Sequence, residues 1–359
     1  MIFTLIDCSI PINTRNQKIV DSIKKEYPDA AIHVISWNRE GKKHDLSNIY
    51  HIYERNAPPA DVKAKLMGMR GFKKYIGRVL SEIHPDVIIA SHWSNLILVS
   101  GFKKKGQMLI YENLDIPTGG LFVRTASCFC EHFALRNVDL IIHASRFFMS
   151  LYKQKIPQII LENKPAFPPN REKGGTAHPL KVAFIGAIRY KDILMKLVDA
   201  LKDDGKYELY FHGSGEDLDA MKDYCKDAKN VFFTGKYAYS EVVGLYHQSD
   251  VIWAGYPNKD YNVVYAISNK FHESLYVGVP CVYSSRTKLA DCVKRENIGF
   301  VVDPYNTYAI KSLFDNISSG KIDLDEVKEA MEEYQKKETT WNEDFNQLIK
   351  ALYEYKFRE

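Results

Sequence analysis

SNKFHESLYVGVPCV, residues 268–282, gathers Ser268, Asn269, Lys270, His272 and Glu273 into six positions and then turns almost wholly apolar. Ser268 is a residue type that caps a helix start, Gly278 suits the left-handed position just past a helix end, and Pro280 cannot continue a helix. The stretch therefore predicts a short helix followed by a strand. On that helix Lys270 and Glu273, three apart, share a face, and Phe271 and Leu275, four apart, form the opposite, buried pair.

The same helix-then-strand step recurs in both directions along the chain. Upstream, apolar runs stand at 2–7 (IFTLID), 31–37 (AIHVISW), 86–91 (DVIIAS), 107–112 (QMLIYE) and 139–144 (DLIIHA), with helix-length segments between them. Runs apolar on both faces belong in a parallel sheet covered by helices. After a Pro-, Gly- and charge-rich stretch at 163–179, the alternation restarts at 180–186 (LKVAFIG) and continues to 298–303 (IGFVVD). The expected fold is α/β, two Rossmann-like domains in succession. Their expected bounds are 1–165 and 180–335, with a linker at 166–179. A last helix over 336–359, striped by Trp341, Phe345, Ile349 and Leu352, is expected to pack back on the first domain.

Composition narrows the function. The chain has 359 residues, 45% of them hydrophobic, which suffices for two cores. Its 49 basic and 45 acidic side chains leave a net charge of only +4, which argues against dedicated nucleic-acid binding. Six scattered cysteines, with only Cys128 and Cys130 close together, suggest a reduced cytosolic protein without a cysteine-rich metal site. The apolar start, MIFTLIDCS, reads as a first strand and not as a signal sequence.

The opening helix should begin at the carboxyl side of a strand, where open parallel sheets bind ligands. Its free N–H groups favour a phosphate, and Lys270 adds full charge. Glu273, one turn further in, accepts hydrogen bonds only and suits the two hydroxyls of a ribose. The competing reading is a solvated i,i+3 Lys–Glu pair.

NKFHESLYVGVPCV resembles the NK-x-x-E-x-x-x-x-G-x-P-x-V signature of GT-B glycosyltransferases, especially glycosyltransferase family 4 enzymes of bacterial surface polysaccharide assembly. The resemblance runs through most of 180–304. It implies that two domains face each other across a cleft, that a nucleotide-sugar is the donor, that the anomeric configuration is retained, and that neither metal nor cofactor is required. It places Glu273 on the ribose, with the helix start of Ser268, Asn269 and Lys270 toward the diphosphate. FIGAIRYKD (184–192) looks like the family's first turn of the second domain. There Gly186 lets the chain approach the donor and Arg189 meets its diphosphate, while Lys191 is either a second such cation or simply solvated. Gly235, Lys236 and Tyr237 stand where family members hold the nucleobase, or in an ordinary loop. Gly213 and Gly215 suit either a phosphate loop or a tight turn.

Where family members carry a further glutamate on the transferred sugar, this chain has Tyr265, and Asp260 is the candidate substitute, grouped with Arg189 and Lys270 as catalytic. The first domain is expected to supply the acceptor side through His92, Glu112 and Asp115, the alternatives being a structural histidine and a helix cap. The acceptor class implied is a glycan or polyprenyl-linked chain. Residues 63–78 mix Lys63, Lys65, Arg70, Lys73, Lys74 and Arg78 with Phe72, Tyr75 and Ile76, so they suit either an anionic membrane at the inner face of the cell or a solvated helix face. Two other functions fit the same features: a degenerate subunit that binds nucleotide-sugar without transferring it, and a GT-B-fold sugar epimerase.

Overall fold

The apolar runs become strands, and the segments between them become the helices that cover them. The computed structural model describes residues 1–57, 62–171 and 178–356, the side chains of 62, 63, 65 and 66 excepted. The chain divides into two compact units, Met1–Glu162 together with the chain from Asn342 onward, and Asn163–Trp341.

The first unit runs β1 (Ile2–Ile6), α1 (Thr14–Glu26), β2 (Ala31–Asn38), β3 (Tyr50–Glu54), α2 (Val62–Ile83), β4 (Val87–Ser91), α3 (Trp93–Val99), β5 (Met108–Asn113), α4 (Leu121–Ala134), β6 (Leu140–His143) and β7 (Gln158–Ile160). The second runs β8 (Leu180–Ile185), α5 (Lys191–Leu201), β9 (Tyr207–His212), α6 (Leu218–Tyr224), β10 (Val231–Gly235), α7 (Val242–His247), β11 (Val251–Ala254), α8 (Tyr261–Tyr265), α9 (Asn269–Val277), β12 (Cys281–Ser284), α10 (Lys288–Glu296), β13 (Phe300–Val302), α11 (Thr307–Ser318) and α12 (Leu324–Lys337). The last helix, α13 (Trp341–Lys356), lies almost wholly in the first unit.

Both sheets are parallel. Their orders are β3-β2-β1-β4-β5-β6-β7 and β10-β9-β8-β11-β12-β13. In each, the order reverses beside the first strand, between β1 and β4 and between β8 and β11. At such a switch point the flanking loops leave in opposite directions and open a crevice at the strands' carboxyl ends.

The interior strands are the ones whose runs are apolar on both faces; β4, β5, β6, β11 and β12 are buried throughout. The two strands without such a run, β3 and β7, are the edges of the first sheet and are only partly buried.

At the junction, residues 163–171 pack with the second unit. Asn163 donates to Asn269 (3.1 Å), the Asn170 N–H to the Tyr276 carbonyl (2.9 Å), and Arg171 to the Leu275 carbonyl. Residues 172–177 of the expected linker lie outside the described residues. In α13 the buried stripe is Trp341, Phe345, Leu348 and Leu352, so Leu348 takes the deep place expected of Ile349. Tyr355 donates to the Gln107 carbonyl at 2.9 Å.

The expected membrane-facing segment is corrected here. Phe72 and Ile76 are fully buried, and Phe72 packs between Trp37 and Tyr53, with ring centroids 5.6 and 5.8 Å away. Gly68 and Gly71 let α2 approach so closely that a Cβ at either would overlap the Trp37 ring or the Tyr53 phenol. Lys73, Lys74 and Arg78 are exposed, and Arg78 lies over the half-buried Tyr75. The buried Phe72 and Ile76 of this helix thus point away from its exposed cations. The side chains of Lys63 and Lys65 lie outside the described residues.

Phe72→Ala should therefore cost about 3–5 kcal/mol in urea unfolding, as for other buried aromatics. Lys73→Gln should stay within about 0.5 kcal/mol. A similar, small cost for both would mean that Phe72 faces solvent.

Candidate functional site

Lys270 defines the site. Ser268 caps α9 as expected, its Oγ accepting the Lys270 N–H (3.3 Å), and Gly278 closes the helix at φ 80° with its N–H on the Ser274 carbonyl (2.7 Å). Yet every residue from Lys270 to Val277 is buried, so this is no solvated face. Lys270 donates not to Glu273 but to the Tyr256 hydroxyl, 3.0 Å away, and its ammonium lies 4.8 Å from the Phe184 ring centroid. Phe184 is in β8 and Tyr256 follows β11, so the ammonium sits at the switch point of the second sheet.

Gly186 completes that position. With φ at 141°, it turns the chain out of β8, and a Cβ there would stand 3.1 Å from the Lys270 ammonium. The turn continues through exposed Arg189 to Tyr190, which is left-handed at φ 64° and meets Tyr256 edge-on at 6.2 Å. Gly213 and Gly215 press against this same turn, since a Cβ on either would strike the Gly186 or Ile188 carbonyl. Their place is explained by packing. Lys191 begins α5, its N–H bound by Asp217 (3.0 Å) and its side chain exposed.

Electrostatics bind the group together. Burial alone would raise the Tyr256 phenol, but the Lys270 ammonium outweighs it, with Arg189 adding to the effect, so its pKa falls below the ordinary value. Burial also works against the Lys270 charge, yet Tyr256 and Glu273 hold its pKa above that of a free lysine. Tyr237 is raised by burial, with Lys270 opposing and Glu273 reinforcing, which places it in the same field. Lys236 is exposed, and Gly235 ends β10 at φ 82°.

Glu273 is 8% exposed and accepts a hydrogen bond from Tyr246 at 2.9 Å. Burial, with the Glu273 charge adding to it, raises the Tyr239 phenol. The carboxylate is thus oriented by a neutral donor with the Lys270 charge nearby, an arrangement able to hold a diol beside an anion.

Solved structures share this architecture end to end. The chain is similar to sucrose-phosphate synthase from Thermosynechococcus elongatus, with a TM-score of 0.75 and 12% identity over 98% of this chain and 99% of that one. It is similar to Anabaena HepE in complex with UDP-glucose, with a TM-score of 0.74 and 14% identity over 99% and 100%. A third is the lipopolysaccharide outer core galactosyltransferase WaaB, with a TM-score of 0.65 and 13% identity over 99% of each chain. The fold is GT-B. Residues 167–338 match the family model for glycosyl transferases group 1. No curated protein matches the sequence.

Within this GT-B chain the remaining expected residues fall elsewhere. Asp260 caps α8 by accepting the Asn262 N–H (2.8 Å), and Tyr265 ends that helix, its ring 5.3 Å from Tyr261. In the first unit, His92 caps α3 at φ 76°, and Nδ1 lies 2.9 Å from the Ser94 hydroxyl. Burial, aided by Arg39, pushes its pKa down to about 4, so it is neutral at pH 7. Glu112 is fully buried and pairs with Arg15 at 2.7 Å; burial raises its pKa and Arg15 opposes. These two stand near the first sheet's switch point, where Asn16 bridges Asp7 (2.7 Å) and Ser91 (2.8 Å). Asp115 is exposed and does not cap α4, whose N-cap is Gly120.

Two Asp-x-Asp spacings, Asp217/Asp219 and Asp323/Asp325, fall at the starts of α6 and α12. Asp217 accepts from Lys191 and Asp323 from the Asp325 N–H.

Sequence reasoning missed Tyr256, Tyr246 and Tyr239. Tyr256 left a trace, as the polar aromatic just past the apolar run at 250–255. Lys270→Met should remove the main opposition to the burial of Tyr256 and raise its phenol above an ordinary tyrosine's pKa. Tyrosinate absorbance, read as the difference from a Tyr256→Phe background, checks this; an unchanged titration would uncouple the pair.

Proposed function

We propose that the protein transfers a glycosyl group from a nucleoside diphosphate sugar to a glycan or polyprenyl-linked acceptor, in surface polysaccharide assembly. The observation that carries this reading is the Lys270 ammonium, buried at the sheet's switch point against a glycine turn where a Cβ would stand 3.1 Å from it. Lys270, Arg189 and the first N–H groups of α9 would bind the diphosphate and stabilise charge on it as the sugar leaves, the preorganised electrostatic contribution that usually dominates. Glu273 would hold the ribose hydroxyls. Tyr256, which engages Lys270 at 3.0 Å, would yield that contact to the phosphate. Retention of configuration and independence of metal belong to the same proposal, supported by the resemblance to family 4 enzymes.

The match over 167–338 to group 1 glycosyl transferases supports the donor side. UDP-glucose, found in HepE, is the first donor to test, followed by GDP- and dTDP-sugars in a thermal-shift series. A ligand at 100 times its Kd adds about 2.7 kcal/mol of stability.

Glu273→Gln keeps an acceptor for Tyr246 but removes the charge. It should weaken nucleoside diphosphate binding about tenfold, since charge-assisted hydrogen bonds contribute about 1.5–3 kcal/mol each. Calorimetry giving wild-type affinity would remove Glu273 from the site.

Asp260→Asn separates two roles, because asparagine caps a helix as well as aspartate does. We expect the melting temperature and nucleoside diphosphate affinity to hold while transfer falls, as for a carboxylate that meets the sugar only in the transition state. Unchanged transfer would leave Asp260 as a cap alone. Donor binding with no transfer or donor hydrolysis across lipid-linked and free glycan acceptors would favour the degenerate subunit.

A further inference from the structure

In α4, fourteen residues long, the buried residues are only Glu131 and Ala134. Phe122, Phe129 and Phe133 are 85%, 63% and 44% exposed, and Leu121 and Val123 stand out in the first turn. Positions 122, 126, 129 and 133 follow the i, i+4, i+7, i+11 spacing that sets residues on one helix face. That face lies opposite Glu131. Its aromatic rings pack on each other in the open, Phe129 and Phe133 edge to face at 4.7 Å, with Arg136 4.4 Å over Phe133. A soluble helix normally turns such residues inward.

What holds the helix is polar. The Glu131 carboxylate accepts from Tyr111 and Tyr152, each at 2.7 Å, beneath the helix. The apolar face is thereby left free to meet something else.

Charge indicates what that is. At the carboxyl end of α4, Lys103 donates to the Asn137 carbonyl (3.0 Å) and carries exposed Lys104 and Lys105 beside it. Gln154 reaches His132 (3.3 Å) and brings exposed Lys153 and Lys155 to the same end. The only carboxylate on α4 is Glu131, which is buried. A second copy of the chain would need an acidic group on this face to answer the lysines; a bilayer with anionic headgroups supplies one.

We propose that α4 is an interfacial helix that seats Phe122, Phe129 and Phe133 at the headgroup–acyl boundary of an anionic membrane, with Lys104, Lys105, Arg136, Lys153 and Lys155 against its surface charge. The inference does not depend on the donor site. It moves membrane contact from the α2 segment to a helix whose apolar and basic residues are both at the surface.

The test is co-sedimentation of the full chain with phosphatidylcholine vesicles, with and without phosphatidylglycerol. Binding should favour the anionic vesicles and weaken with salt. The combined variant Phe122→Ser, Phe129→Ser, Phe133→Ser should lower partitioning about tenfold or more, because interfacial affinity scales with buried apolar area. Its circular dichroism should not change, since those side chains meet solvent. Lys104→Gln with Lys105→Gln should weaken binding to anionic vesicles only, and Lys73→Gln with Lys74→Gln on α2 should do nothing. The proposal is overturned if the wild-type chain ignores anionic vesicles, or if the serine variant binds them as well. A dimer that sedimentation velocity detects and the serine variant dissociates, with vesicle binding intact, would instead assign the face to a second copy.

Discussion

A lysine ammonium buried at the reversal point of a parallel sheet organises the second unit's chemistry. Isolated in a protein interior, such a charge carries a large desolvation cost. Here the Tyr256 hydroxyl and the Phe184 ring face it, and Gly186 leaves open the one direction in which a side chain would otherwise stand. The close packing of Gly213 and Gly215 on the 186–190 turn fixes that turn in place. Each neighbouring feature is understandable as a means of keeping one positive charge dry and oriented.

Both units repeat a second device, a buried carboxylate satisfied by tyrosine hydroxyls. Glu131 takes Tyr111 and Tyr152; Glu273 takes Tyr246. Neutral donors orient a carboxylate without cancelling its charge. In the first unit burial raises the Glu131 pKa, and the result is a structural pin. In the second the same chemistry lies one helical turn from an ammonium, where an oriented negative charge can recognise hydroxyl groups.

Most strands were legible because each carries an apolar run, whereas β3 and β7, the edges of the first sheet, carry none. The caps of α9 were legible from Ser268 and Gly278, whose conformational preferences are local. The α2 segment misled because basic and apolar residues at helical spacing read alike whether the apolar side meets a core or a membrane. Phe72 is settled only by Trp37 and Tyr53, distant in sequence. The α4 segment hid the reverse case, an apolar helix whose burial is withheld by tertiary structure. Tyr256 escaped notice for the same reason, since its contact with Lys270 spans fourteen positions and two elements. Residues whose role rests on their own backbone preference could be read; those whose role rests on a partner could not.

The return of α13 to the first unit has a consequence for how the chain is made. The second unit is continuous in sequence and has all its strands once residue 302 is out of the ribosome. The first unit, although its sheet emerges earliest, is complete only when Phe345, Leu348 and Leu352 take their buried places in it. Domains generally fold as units in order of synthesis. Here the order of emergence and the order of completion are reversed, so the first unit stays incomplete throughout the synthesis of the second.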